Sequence, residues 1–196
     1  MAYESEPELL VLHGVRLLGF ADGRRVARRW GLDEVDVEEH LLDAEAYGWV
    51  SRSEFDGTAG WFLTDAGRRR NEDGLAAELD RVPGARAAVI DVHDSFGPVN
   101  EAVTQLCTAW QLADHDARGV DEALQSLSRT GDLLDGLERQ LTGVLARFAG
   151  YHSRFVGAVE RARDDPRWVA GIDVDSCHRI WFELHEDLVA TLGLQR

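Results

Sequence analysis

The sequence contains no lysine, and all 21 of its basic side chains are arginine. In 196 residues it has four prolines, one methionine and two cysteines, Cys107 and Cys177. Two cysteines cannot build a disulfide framework, so both are expected as reduced thiols in a cytoplasmic protein. Uncharged runs such as residues 9–15 and 87–90 fall far short of the ~20 apolar residues of a membrane span, so no membrane partner is expected. The opening residues, Met1-Ala2-Tyr3-Glu4-Ser5-Glu6, have neither the basic nor the apolar region of a signal peptide. Catalytic motifs are missing as well. There is no P-loop, no nucleotide-binding glycine fingerprint, no His-Glu-x-x-His and no Gly-x-Ser-x-Gly. Cys177 and His178 are adjacent, but neighbours on a helix point about 100° apart and do not form a nucleophile–base pair. The reading is therefore of a chain with no catalytic residues, no cofactor and no metal, which is not an enzyme.

Acid is abundant. Against 21 arginines stand 36 acidic side chains, giving a net charge of −15, while 44% of the residues are hydrophobic. That balance excludes a disordered tail and makes the chain as a whole a poor general nucleic-acid binder. Val82-Pro83-Gly84 punctuates two halves. Residues 1–83 carry ten arginines and 18 acids, and residues 84–196 carry 11 and 18, so neither is a basic module.

In the first half, Pro7 opens a helix whose Leu9, Leu10, Leu12, Val15 and Leu18 follow helical spacing up to Gly19. Asp22 caps a second helix, Gly23–Trp30, with Val26, Ala27 and Trp30 inward and Gly31 as its stop. Asp33 caps a third, in which Val37, Leu41, Ala44 and Glu45 step along one side until Gly48. Residues 49–52 and 61–64 then flank the turn 56–60 and predict a β-hairpin. Thr64 or Asp65 caps a fourth helix running through Arg68-Arg69-Arg70 toward Leu79.

Helix, helix, short turn, helix, hairpin, helix is the layout of a winged helix-turn-helix. The turn reads Ala27-Arg28-Arg29-Trp30-Gly31-Leu32, the third helix Val37-Glu38-Glu39-His40-Leu41. The hairpin region reads Gly48-Trp49-Val50 and Gly60-Trp61-Phe62-Leu63-Thr64-Asp65-Ala66-Gly67-Arg68. Over residues 8–82 this resembles the MarR-like winged-helix transcriptional regulators. The resemblance implies a DNA-binding regulator acting on double-stranded DNA, in which the third helix enters the major groove. Phosphate contacts would come from Arg24, Arg25, Arg28 and Arg29 on the second helix, Arg52 by the hairpin, and Arg68 and Arg69 after it. Asp36, Glu39 and His40 would face the groove. Base edges are read mainly by donors, yet this stretch presents Asp33, Glu34, Asp36, Glu38 and Glu39. A second reading follows from those acids: a winged helix repurposed as a protein-interaction module, its acidic third helix docking on a basic protein partner.

The second half predicts a helical bundle, so the whole chain is mainly α. Helices are expected at 85–97, from Pro98 onward, at 120–128, 132–148 and 151–163, and from about Asp173 to Leu192. Such a bundle serves as a dimerisation or effector-sensing domain, which makes a homodimer the expected assembly. In the last helix Val174, His178, Trp181, His185, Leu188 and Leu192 share one face. Trp181 with His178 and His185, joined by Trp110, forms the candidate pocket for a small-molecule effector. The same histidines also suit a core role.

Overall fold

The computed structural model describes residues 2–55, 57–112 and 117–194; the turn residue Asp56 lies outside them. Two units make up the chain. Tyr3–Arg86 forms the body of the first, with which residues from Val189 on are grouped, and Ala87–Leu188 forms the body of the second.

The first unit holds α1 (Pro7–Leu18), α2 (Gly23–Trp30), α3 (Glu34–Ala46), the hairpin β1 (Val50–Phe55) and β2 (Thr58–Leu63), and α4 (Asp65–Arg81). It has the winged helix-turn-helix order. Side-chain caps start three of its helices: Asp22 accepts from the Arg25 amide at 2.7 Å, Asp33 from Val35 at 2.8 Å, and Thr64 from Gly67 at 3.0 Å. Gly31, with φ of 68°, ends α2 in the left-handed conformation. Val11, Leu12 and Val15 of α1 pack with Val26 and Ala27 of α2, Val37, Leu41 and Ala44 of α3, and Val50 and Trp61 of the hairpin. This is the helical and strand periodicity realised in one core. Glu45, expected on the inner side of α3, is exposed instead. Both strands are longer than the sequence suggests, pairing antiparallel from Val50↔Leu63 to Phe55↔Thr58.

The second unit continues from α5 (Ala85–Leu112) into α6 (Ala117–Thr142), α7 (Tyr151–Arg161), the single turn α8 (Arg167–Ala170) and α9 (Cys177–Leu192). Three expected boundaries shift. Pro98 lies inside α5 rather than at a new start. Gly97 and Pro98 are both on the exposed side, where water can take the carbonyl that proline leaves unbonded. The expected pair 120–128 and 132–148 is one helix through Thr142, then a short 3₁₀ turn at Ala146–Phe148. Gly131 stays helical because Phe155 and Val156 of α7 pack against it, at 3.8 and 3.4 Å from where a Cβ would stand. The last helix starts at Cys177, four residues later than expected, because Ser176 rather than Asp173 accepts the Arg179 amide, at 3.3 Å. No helix among the described residues is long and apolar enough to cross a membrane.

Candidate functional site

The arginines expected to hold phosphate divide into two groups by what they touch. Val26 and Ala27 are buried, which turns Arg24 and Arg28 of α2 outward and leaves Arg25 and Arg29 half-buried. Arg24 donates Nε–H to Glu34 of α3 at 3.3 Å. Arg25 Nη1 donates to the Phe20 carbonyl at 3.2 Å, and the Arg29 guanidinium lies 4.2 Å from the Trp30 ring centroid. Arg28 is exposed, and no acid pairs with it among the described residues.

The hairpin and the start of α4 add the rest. Arg52 on β1 sits opposite Trp61 in the register, its guanidinium 5.6 Å from that ring, and is exposed. The Thr64 hydroxyl donates to the Gly48 carbonyl at 2.6 Å while capping α4, which ties the hairpin base to the helix carrying Arg68, Arg69 and Arg70. Arg70 is spent on Glu8 at 2.7 Å and lies over Trp49. Arg68 and Arg69 are exposed and, like Arg52, have no acid partner among the described residues.

Asp36, Glu39 and His40, the residues assigned to the groove by the resemblance, lie together on one side of α3. With Asp43, Pro7, Leu32 and Val37 they line a cleft of about 190 Å³ beside α3. Asp36 and Glu39 are exposed and His40 is half-buried. The outward side of α3 also carries large apolar groups: Val35 is 66% exposed, Leu42 49% and Tyr47, just past the helix, 69%. The sequence carries a signal for them, since Val35 and Leu42 are out of phase with the inward set Val37, Leu41 and Ala44.

In the second unit, Trp181 is a core residue. Its ring stacks on Phe96 at 4.5 Å, leans on Phe155 at 6.0 Å, and its indole N–H donates to Asn100 Oδ1 at 3.0 Å. His185 shares Phe96, at 5.6 Å. Trp110 is buried and His178 half-buried. Beside them stand two ion-pair networks with no obvious sequence signature. Arg147 Nη1 donates to Asp187 at 2.5 Å and the Tyr151 hydroxyl donates to the same carboxylate at 2.9 Å, with both charged side chains fully buried. Arg154 forks onto Asp175 at 2.7 and 2.9 Å and reaches Glu183 at 2.7 Å. Burial opposes the Arg154 charge, but the hydrogen bonds and charges of Asp175 and Glu183 outweigh it and hold the pKa above the ordinary guanidinium value.

Burial pushes the Cys107 thiol from 9.0 up to about 11. It pushes Cys177 up to about 12, with Cys107 adding to the effect. Neither is a thiolate nucleophile at neutral pH. Among the described residues no group of three or more His, Cys, Asp or Glu side chains is placed to hold a metal ion. Comparison with known proteins adds no relative: no family model, curated protein or solved structure matches the chain.

Proposed function

We propose that the chain is a DNA-binding transcriptional regulator of winged-helix type, held on the phosphate backbone by Arg28, Arg52, Arg68 and Arg69. One observation carries this reading. In a chain with 15 more acids than arginines, these four guanidiniums stand exposed without an acid against them, whereas the surface arginines Arg70, Arg86, Arg139 and Arg167 are paired. Arg81, Arg129, Arg161 and Arg163 also meet no acid among the described residues, but of the unpaired arginines only Arg28, Arg52, Arg68 and Arg69 lie on α2, the hairpin and the start of α4. An unpaired surface cation in an acidic protein is what a polyanion can displace counterions with.

The four residues come from the second helix, the hairpin and the start of the fourth helix, so on this reading the phosphate contacts fall on these elements and none falls on α3. Contacts of this kind fix position and orientation without reading sequence. The acids of α3 offer no donors to base edges, so binding on this reading is dominated by phosphates and falls steeply with salt. The second unit is read as the dimerising body, for which Leu133, Ile172 and Phe182, at 55%, 89% and 48% exposure, supply apolar surface. The reading is tested by titrating a fluorescent 25-base-pair duplex with the full chain at several salt concentrations, alongside the variant Arg28→Ala/Arg68→Ala/Arg69→Ala. Loss of binding in the variant supports it. Equal binding by the two proteins removes it.

A further inference from the structure

α3 turns Val37, Leu41 and Ala44 into the core. At about 100° per residue, the positions furthest from that face are Val35, Glu39, Leu42 and Ala46. All four are exposed, Val35 at 66% and Leu42 at 49%. The outermost line of the helix is thus an apolar stripe at i, i+7 and i+11 with one carboxylate in it.

Acids border the stripe on both sides. Glu34, Glu38 and Glu45 lie along one flank and Asp36 and Asp43 along the other, and the helix has no arginine. The arrangement opposes its own stability. Glu34 and Glu38, and Glu39 and Asp43, are like charges four residues apart. Asp43 and Glu45 sit near the negative end of the helix dipole, in a helix whose last turn carries no cation. Arg24 relieves Glu34. Cations brought by a partner would relieve the rest, whereas a nucleic acid or the same face of a second copy would add to the repulsion.

We infer that the outward face of α3 is a docking surface for a basic amphipathic helix of another protein. Its apolar side chains at i, i+3/i+4 and i+7 cover Val35, Leu42 and Ala46, and its flanking lysines or arginines meet the acids on either side. Charge supplies the steering and the choice of partner, and the short stripe makes the complex transient. This goes beyond the proposed DNA contacts, which use α2, β1 and α4 and no side chain of α3.

The test is fluorescence anisotropy of a labelled 18-residue Leu/Lys amphipathic helix and of a scrambled peptide of the same composition, each titrated with the full chain. The amphipathic peptide is expected to bind about tenfold more tightly than the scrambled one. Val35→Ser/Leu42→Ser is expected to remove about tenfold of that affinity while leaving the melting temperature and duplex binding unchanged, because both side chains are exposed. Glu39→Gln/Asp43→Asn is expected to flatten the salt dependence of peptide binding. Equal binding of the two peptides, or no effect of Val35→Ser/Leu42→Ser, overturns the inference. So does loss of duplex binding in that variant, which would make the face part of a DNA interface. A change in the chain's own sedimentation mass would also overturn it, because the stripe would then join two copies. Failure of the DNA reading is seen separately, in the arginine variants, and leaves the peptide titration intact.

Discussion

Arg24 of α2 and Glu34 of α3 meet at 3.3 Å, with their side chains 67% and 58% exposed. A pair this open contributes roughly 0–1 kcal/mol to stability, but it decides where positive charge remains to be used. Arg24 is matched, and Arg28, one turn further on, is not. Arg28→Ala, Arg68→Ala and Arg69→Ala should therefore each weaken duplex binding by about fivefold at low salt and reduce the salt slope by about one. Arg24→Ala should change both much less. Anisotropy titrations of the four single variants check the ordering, and a larger effect for Arg24 than for Arg28 would contradict it.

Gly67 lies where α4 meets the hairpin base. A Cβ there would stand 1.8 Å from the Trp49 carbonyl oxygen, which is backbone and itself accepts from the Thr64 amide at 3.0 Å. Gly67→Ala should cost at least roughly 3 kcal/mol, since the strand and helix have to separate. Thr64→Ala should cost about 1 kcal/mol through the lost cap. Urea unfolding followed by tryptophan fluorescence reads both, and a Gly67→Ala protein as stable as the parent would rule out this packing.

Arg147 and Asp187 are paired with no solvent exposure on either side chain. Asp187→Ala takes the paired carboxylate away from a buried guanidinium and should destabilise the second unit by roughly 3–5 kcal/mol. Replacing both, Arg147→Met with Asp187→Leu, should recover a large part of that loss. Chemical denaturation of the single and double variants tests this, and additive losses would show that the pair is not coupled.

The thiols set an alkaline limit. In the folded chain Cys107 and Cys177 titrate at about 11 and about 12, above the ordinary 9.0. Below 9.0 both states keep the proton and their contribution is fully present. Above 9.0 the unfolded chain loses protons that the folded one retains, so stability should fall as pH rises from 9 toward 12. Cys107→Ala/Cys177→Ala should flatten that fall, measured as urea midpoints between pH 8 and pH 11. At pH 8 a thiol reagent should label both cysteines only once urea is added, and rapid labelling of the native chain would contradict their burial.

The parts of this fold legible in the sequence are those where a local signal and the tertiary environment agree. Asp22, Asp33 and Thr64 announced their helices and cap them, and Val26, Val37 and Leu41 announced the inward faces that the core then uses. Local signals misled where packing or solvent outweighed them. Pro98 reads as a start, but its side of α5 faces water, and Gly131 reads as a break, but α7 packs against it. Among the site residues, the arginines were visible as a set while their division into paired and unpaired was not. That division depends on contacts such as Glu8 with Arg70, residues 62 positions apart. Likewise, helix periodicity puts Trp181 and His185 on a shared face but cannot reveal Phe96 stacked against both.

The most direct test of the account is the salt dependence of duplex binding by the unmodified chain. Four phosphate contacts predict that log K falls with log salt at a slope between about −3 and −4, so that affinity drops about 100-fold between 50 and 200 mM. A slope near zero, or no binding at 50 mM, would mean that Arg28, Arg52, Arg68 and Arg69 do not hold a nucleic acid.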